Sequence, residues 1–215
     1  MTDLENKRVL ECSQSYYMAR KTVHHYNKES LLGPCKVQVW HDLGNEDSIP
    51  PHVIEQINDL GNQSASAQGL QLPITSFDKS KKSIDAQQQL NNQTIYTLTI
   101  LNNEKEQLKK ETVLGFLKVG CRDLYLYNKE NVQIRRNNVP CVMDFFVLEH
   151  YQRLGIGQIL FETMLQTNKT GASHAFSLAY DRPSKKLIRF LEKHYNTIDH
   201  EIQPNRFALF NGFWK

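Results

Sequence analysis

The sequence lacks the features of a protein that enters a membrane or leaves the cell. None of its apolar runs approaches the ~18 residues that a membrane-spanning helix needs, so we expect no membrane contact. The N-terminal residues MTDLENK do not have the basic and then apolar order of a secretory signal. We therefore expect a protein of the reducing interior of the cell, in the cytoplasm.

Cysteine is scarce, and no set of residues has the spacing of a metal site. The 215 residues include four cysteines without a C-x-x-C pair, and none lies near histidines at zinc-ligand spacing. The eight histidines show no ligand spacing among themselves. We therefore expect no bound metal ion and no disulfide among Cys12, Cys35, Cys121 and Cys141.

Basic clusters interleaved with aromatic residues are also absent, and the formal net charge is only +3, so we expect no nucleic-acid partner. With 40% hydrophobic and 23% charged residues, the composition is that of an ordinary globular protein of one substantial domain. We place this domain at residues 36–215. Residues 1–35 are interpreted as an N-terminal polar extension, either regulatory or simply flexible, that ends at Gly33-Pro34.

Residue periodicity gives the order of elements. Strands are predicted at residues 36–40, 94–101, 113–119, 123–127, 141–147, 175–180 and 207–210. A helix opens at Pro50-Pro51 and carries its apolar residues at helical spacing, at Val53, Ile54, Ile57 and Leu60. Gly61 interrupts or ends this helix, and residues 64–70 are either a second short helix or a loop.

Two further helices are predicted in the last third of the chain. One carries Ile159, Leu160, Met164 and Leu165, and the other has Pro183 in its first turn. Polar connections are expected at residues 78–93, 102–111 and 128–138. Meandering strands followed by alternating helices and strands predict a mixed α/β or α+β sheet with helices packed on it.

A glycine-containing turn joins the strand that begins near Asp144 to the next helix, with the sequence Gln152-Arg153-Leu154-Gly155-Ile156-Gly157. Glycines let consecutive backbone N–H groups converge on an anion, and the helix start adds its own unpaired N–H groups. Arg153 can add positive charge. Glycine is also common in turns of purely structural role, so the two glycines alone leave both interpretations open.

The turn matches the Q/R-x-x-G-x-G/A signature of the Gcn5-related N-acetyltransferases (GNAT), and the chain resembles that superfamily from strand to helix. The P-loop motif is absent, and Leu160 occupies the third glycine position of the dinucleotide-binding motif. The resemblance implies a mixed, mostly antiparallel, splayed sheet flanked by helices. It also implies acetyl-CoA as co-substrate, with its pyrophosphate at the turn and its pantetheine arm beside the preceding strand.

Beyond the turn, the chain resembles the α-tubulin N-acetyltransferases, which modify a lysine on the luminal face of microtubules. The likeness is carried by residues 60–76, 115–120, 141–157 and 178–196, and by the terminal Phe210-Asn211-Gly212-Phe213. This resemblance implies that α-tubulin in microtubules is the partner. We also expect a monomer, although nothing in the sequence reports the oligomeric state. The resemblance also implies a cytoskeletal location, in cilia or flagella among other places. The insertions at residues 78–93 and 102–111 depart from the family pattern.

The matching positions imply an active site. Cys141 and Asp181 correspond to the family's catalytic cysteine and aspartate, and Gln68 to a glutamine needed for activity. The cofactor contacts implied by the resemblance are Phe145, Phe146, Val147, Leu148, Gln152, Arg153, Leu154, Gly155, Ile156, Gly157, Gln158, Ser184, Lys185, Lys186, Leu187, Phe190 and Lys193.

Each of these residues also has an ordinary structural interpretation. A lysine has a pKa near ~10.4, so a base must take its proton before attack on a thioester, and a carboxylate or a thiolate can do so. We expect Asp181, acting directly or through water, and Cys141 to assist this deprotonation. Asp181 can equally cap the next helix. Cys141 is a buried hydrophobe, a base, a polar contact or a transient nucleophile, and direct attack by lysine in a ternary complex is favoured over an acetyl-cysteine route.

The roles of Gln68, Lys185 and Lys186 and the identity of the substrate each have more than one interpretation. Gln68 orients the site through hydrogen bonds or is a surface amide, and Lys185 and Lys186 contact cofactor phosphates or are solvated. The main hypothesis is an α-tubulin lysine acetyltransferase. The alternatives are a Gcn5-like enzyme for another protein or a small amine, and a microtubule-binding protein of the same fold without activity.

Overall fold

The computed structural model describes residues 21–26, 35–41, 43, 49–77, 93–102, 110–167 and 174–214. Within these residues, eight strands form one sheet in the order β1-β2-β3-β4-β5-β6-β8-β7. All neighbouring strands are antiparallel except β5 and β6, which are parallel. The strands are β1 Lys21–Tyr26, β2 Cys35–His41, β3 Gln93–Asn102, β4 Lys110–Tyr127, β5 Gln133–Val147, β6 Ala179–Asp181, β7 His200–Ile202 and β8 Phe207–Phe210.

Helices cover both faces of this sheet. Helix α1, Pro51–Ala67, packs Val53, Ile57 and Leu60 against a cluster that includes Trp40, Phe116 and Phe146. On the opposite face, α2 (Ile156–Thr167) and α3 (Lys185–Tyr195) pack with apolar residues of β2 to β5. A third cluster, which includes Leu124, Cys141 and Leu209, lies towards the C-terminal strands. The predicted mixed, mostly antiparallel sheet with flanking helices is confirmed.

Helix α1 opens at Pro51 and carries its apolar stripe as predicted, because proline fixes the φ angle that a first helical residue adopts. The prediction that Gly61 interrupts or ends it is wrong, since α1 continues to Ala67 and residues 64–67 are its last turn. Glycine at this position instead allows α1 to approach the backbone of Thr75 closely. A Cβ atom at this position would lie 2.0 Å from the Thr75 carbonyl oxygen.

The long hairpin of β4 and β5 differs from the prediction. The strands predicted at residues 113–119 and 123–127 are one strand, β4, with irregular register near Val119 and Leu124. Most of the connection predicted at 128–138 is strand β5, and a tight turn at 128–132 joins the two. Asn128 closes this turn, because its side-chain oxygen accepts the N–H groups of Glu130 and Val132.

The last third of the chain begins with an irregular segment. The strand predicted at 175–180 is a short 3-10 turn, Ala175–Ser177, followed by β6. Pro183 lies before α3 and not in its first turn, because Ser184 caps the helix by accepting the Leu187 N–H at 3.2 Å. Strand β7 was not predicted; its three residues are all exposed and therefore have no apolar alternation.

Some predictions fall wholly or partly outside the described residues. These are the connections at 78–93 and 102–111, Cys12, and most of the extension at 1–35. Strand β1 lies within that extension and pairs with β2, while the domain boundary at residue 36 stays a prediction. None of the helices in the described part of the chain is long and apolar enough to cross a membrane.

The contact at Gly61 leads to a stability prediction. Gly61→Ala forces α1 away from the segment that contains Thr75, because the new methyl group meets a backbone oxygen that no side-chain rotation can move. We expect the free energy of unfolding, measured in urea, to fall by about 2 kcal/mol or more. The control is Asn62→Ala, an exposed neighbour on the same helix, with a change within about 0.5 kcal/mol. Equal stability of the two variants would contradict the close approach.

Candidate active site

The parallel pairing of β5 and β6 ends early and leaves an opening in the sheet. The two strands are registered at Cys141 with Ala179 and at Val142 with Tyr180. Strand β6 ends at Asp181, whereas β5 continues to Val147 with β4 along its other edge. The backbone of residues 143–147 therefore borders the opening with polar groups on the side that faces away from β4.

The glycine turn lies at the far end of this strand. The Gln152 side chain donates to the Val147 carbonyl at 2.9 Å, so this residue closes the turn by a bond within the protein. Arg153 and Gly155 both have a left-handed backbone, with φ of 66° and 84°. Helix α2 then begins at Ile156, and its first N–H groups have no acceptor within the helix.

The second glycine of the turn is a packing residue. A Cβ atom at Gly157 would lie 3.1 Å from the ring of Phe145 and 3.7 Å from that of Phe190. These two rings meet edge to face at a centroid distance of 5.6 Å, and both contact Phe161. Strand β5, α2 and α3 are thereby joined by aromatic contacts directly beneath the turn.

The remaining candidate cofactor residues divide by exposure. Arg153, Leu154, Lys185, Lys186 and Lys193 have exposed side chains. Val147, Leu148 and Leu187 are half-buried against the core of α2 and α3, and Gln158 donates to Glu162 within α2. Phe146 and Ile156 are buried in opposite cores, so a ligand would meet them through the backbone.

Asp181 lies at the end of β6, on the border of the opening. Its two carboxylate oxygens accept from Arg182, at 2.8 Å from Nε and 3.2 Å from Nη2. Arg182 has a left-handed φ of 43°, and its N–H donates to the Arg206 carbonyl. The helix-cap interpretation of Asp181 is wrong, because Ser184 is the cap of α3.

Cys141 is a buried thiol, 1% exposed, whose Sγ donates to the Val139 carbonyl at 3.2 Å. Its pKa is raised to about 12, mainly by burial; the neighbouring Cys121 and Asp181 also contribute to this rise, and Arg122 opposes it. A group with this pKa is protonated at neutral pH. The electrostatic effect of Asp181 on Cys141 agrees with their positions on adjacent strands.

Gln68 follows the last residue of α1 and points into the protein. Its Nε2 donates to Ser64 Oγ at 2.9 Å and to Asp144 Oδ1 at 3.4 Å. It is therefore not a simple surface amide. These contacts bring Gln68 to the beginning of the free edge of β5, where Asp144 follows the two paired positions.

Asp144 was not among the predicted site residues. It is 4% exposed, and its carboxylate accepts from Ser64 Oγ at 2.8 Å and from Thr75 Oγ1 at 2.6 Å. Burial raises the pKa of Asp144, and Thr75, Ser64 and Lys118 lower it. The sequence signal was an acidic residue inside the apolar run Val142-Met143-Asp144-Phe145-Phe146, where an ionised side chain needs partners.

Comparison with known proteins identifies relatives that match most of the chain. The profile of the family described as GNAT acetyltransferase, Mec-17 matches residues 15–215. An α-tubulin N-acetyltransferase of Tetrahymena thermophila is 38% identical over 159 residues, which are 74% of this chain and 35% of that protein. One of Aedes aegypti is 39% identical over 164 residues, 75% of this chain and 53% of that protein. The chain thus spans about a third to a half of these relatives' length.

A solved structure shares the fold. The acetyltransferase domain of xEco2, bound to a K105-CoA conjugate, has a TM-score of 0.51 and is 11% identical. The likeness covers 89% of this chain and 98% of that domain.

In the described part of the chain, no group of three or more His, Cys, Asp or Glu side chains could hold a metal ion.

The buried state of Cys141 can be tested by alkylation. At pH 8 a thiol with a pKa of about 12 is ionised in roughly one molecule in ten thousand, and burial also blocks the reagent. We expect iodoacetamide to label the more accessible Cys121 at least about tenfold faster than Cys141, measured by peptide mass spectrometry. In concentrated urea the two rates should converge. Labelling of native Cys141 as fast as Cys121 would contradict the burial.

Proposed function

Because the chain belongs to the Mec-17 family of GNAT acetyltransferases, we propose that it transfers an acetyl group from acetyl-CoA to a lysine of α-tubulin in microtubules. The observation that carries the proposal is the opening between β5 and β6. The glycine turn, whose backbone suits an anion, lies at one end of this opening, and a carboxylate, Asp181, lies at the other.

The residues around the turn fit the phosphates of acetyl-CoA. The left-handed backbone at Arg153 and Gly155 exposes consecutive N–H groups at the start of α2, where the helix dipole favours negative charge. No atom lies within 4 Å of a Cβ built at Gly155, so there is room for a ligand. Arg153, Lys185, Lys186 and Lys193 supply positive charge nearby. When bound, acetyl-CoA supplies the acetyl thioester.

The free edge of β5 suits the pantetheine arm. Residues 143–147 have no strand partner on this side among the described residues, and an amide-containing chain can pair with their backbone as a further strand would, apart from the Val147 carbonyl, which accepts from Gln152. Phe145 and Phe190 form an apolar wall beneath the turn. The other candidate contacts are Phe146, Val147, Leu148, Gln152, Leu154, Ile156, Gly157, Gln158, Ser184 and Leu187.

The acceptor lysine must lose a proton, and the chemistry favours Asp181 over Cys141 as the base. Asp181 has 19% of its side chain exposed at the border of the opening and is held by Arg182. Cys141 has a pKa of about 12 and is therefore a thiol at neutral pH, so we assign it a polar contact beneath Asp181. The same property disfavours an acetyl-cysteine route, since a thiolate is the nucleophilic form. Direct attack by the lysine is thus preferred.

The substrate assignment rests on the relatives, which are named α-tubulin N-acetyltransferases in ciliates and insects. A location on microtubules, in the cytoplasm and in cilia or flagella, follows from that substrate. We further propose that the protein acts as a monomer, binds no nucleic acid and needs no membrane. Gln68 completes the catalytic set, with Asp181 and Cys141.

Transfer of labelled acetyl groups to polymerised tubulin tests the activity and its base. Asp181→Asn keeps the size of the side chain but removes the proton acceptor, so kcat should fall by about a hundredfold or more. The kcat of Cys141→Ala should fall less than that of Asp181→Asn, because a neutral thiol does not accept the lysine proton. The control is Asp199→Asn, an exposed aspartate between α3 and β7, which should transfer at the wild-type rate.

Two results would change these assignments. If the wild-type protein binds acetyl-CoA and acetylates polyamines but not tubulin, the family assignment still holds, but the proposal that tubulin is the substrate is wrong. A larger loss in Cys141→Ala than in Asp181→Asn, with both variants folded by circular dichroism, would exchange the roles of the two residues.

A pair of glycine variants tests the pyrophosphate site. Gly155 and Gly69 both have a left-handed φ, of 84° and 67°, and neither would place a Cβ within 4 Å of another atom. Replacement by alanine should therefore cost each variant a similar ~1 kcal/mol of folding stability. Only Gly155→Ala should weaken acetyl-CoA binding, by about tenfold in isothermal titration calorimetry, because only this methyl group stands in the anion site. Equal affinity of both variants would argue against the site.

A further inference from the structure

A polar cluster is buried where α1 meets β5. It consists of Asp144, Ser64, Gln68, Thr75 and Lys118, which come from α1, the segment after it, β4 and β5. Ser64, Thr75, Lys118 and Asp144 are each at most 6% exposed. Asp144 is at the centre, because its carboxylate accepts hydrogen bonds from Ser64, Thr75 and Gln68.

The cluster holds both ends of the turn that follows α1. Ser64 and Gln68 belong to the end of the helix, while Thr75 lies after the turn and binds the other carboxylate oxygen. Lys118, registered opposite Asp144 on β4, donates from Nζ to the Ile74 carbonyl at 3.0 Å. Residues 64–75 are thus fixed to β4 and β5 by polar bonds whose partners lie 44 to 80 positions apart in the chain.

Such a cluster needs a reason beyond stability. A buried carboxylate loses its hydration, and apolar residues of similar volume often stabilise a fold as well or better. What hydrogen bonds provide is direction, since each partner must stand at one distance and angle. The side chain whose direction matters most is Gln68, because it is the cluster member that is partly exposed.

The cluster also lies close to the reacting groups. Asp144 directly precedes Phe145, and two positions before it Val142 forms the last β5–β6 pair. The pKa of Arg182 is raised chiefly by its hydrogen bond to Asp181, and Asp144 adds a smaller contribution in the same direction. With Gln68 Nε2 bound to Ser64 and Asp144, its carbonyl oxygen has a fixed direction and can accept from a lysine ammonium group.

We propose that Asp144 is a positioning residue that holds the Gln68 amide in place, directly and through Ser64, to receive the acceptor lysine, while Thr75 fixes the Asp144 carboxylate itself. This inference rests on the proposed function. Asp144 itself does not touch the substrate. Its effect is to turn the end of α1 into a rigid wall of the acceptor site, so that a lysine arrives at a defined distance from Asp181.

The test uses Ser64→Ala and Thr75→Val, which each remove one hydroxyl, with Asp144→Asn as the conservative variant of the centre. The control is Thr97→Val, because Thr97 is also a buried hydroxyl, which accepts from Trp40 Nε1 at 3.0 Å on β3. For each variant we would measure acetyl-CoA affinity by calorimetry, kcat and KM on polymerised tubulin, and hydrogen exchange of the amides in residues 64–77.

Positioning predicts a specific combination of results. Ser64→Ala and Thr75→Val should lose about tenfold or more in kcat/KM for tubulin, while acetyl-CoA affinity changes less than about twofold. Hydrogen exchange in residues 64–77 should speed up. Asp144→Asn keeps the shape and an acceptor oxygen, so it should retain more activity than Asp144→Ala. Thr97→Val should lose stability but keep the wild-type kcat/KM.

Three results would overturn the proposal. The first is acetyl transfer to tubulin by Ser64→Ala and Thr75→Val at the same rate as by Thr97→Val. The second is a loss of acetyl-CoA affinity in these variants as large as their loss of activity. The third is an unchanged rate of hydrogen exchange in residues 64–77. Failure of the proposed function looks different. In that case the wild-type protein binds acetyl-CoA but leaves tubulin unmodified, so Gln68 has no role in receiving a tubulin lysine. Hydrogen exchange in residues 64–77 then still decides whether Asp144 orders the end of α1.

Discussion

The early end of the parallel pairing between β5 and β6 is the constraint on which the rest of the site depends. After Val142 the strands no longer share hydrogen bonds, so β5 presents a polar backbone edge and Asp181 stands at the end of β6. Polar backbone groups inside a protein need partners, and a bound chain with amide groups can provide them. The glycine turn, α2 and α3 surround this edge, and α1 lies against the other face of the sheet.

Burial and charge give the two candidate catalytic residues different capacities. Cys141 lies in the core and remains a thiol, whereas Asp181 is accessible and held by the guanidinium of Arg182. The sequence leaves this difference open, because it allows Cys141 to be either a buried hydrophobe or a reactive group, and Asp181 to be either a base or a helix cap. The arrangement fits a transfer in which one carboxylate handles the proton and the thiol defines the space beneath it.

The sequence predicted what depends on local spacing. Proline at residues 50–51, the apolar stripe of α1 and the glycine turn all have short-range signals, and the structure has these elements there. The continuous β4 was missed because Gly120, Cys121 and Arg122 interrupt the pattern between the two predicted strands, although the strand is held by pairing with β5. Asp144 was missed because its partners Ser64 and Thr75 are 80 and 69 positions away in the chain. Tertiary contacts of this kind leave no periodicity.

The topology also has a consequence for how the chain folds. Strands β4 and β5 are joined by the short turn at 128–132, so their ladder forms from contacts that are near in sequence. The parallel pair of β5 and β6 cannot form before α2 and the residues that connect it to β6 have crossed over, and such long loops close slowly. The antiparallel hairpin should therefore nucleate folding, and the opening between β5 and β6 should be completed last. A chain arrested late would keep most of its sheet and have no active site.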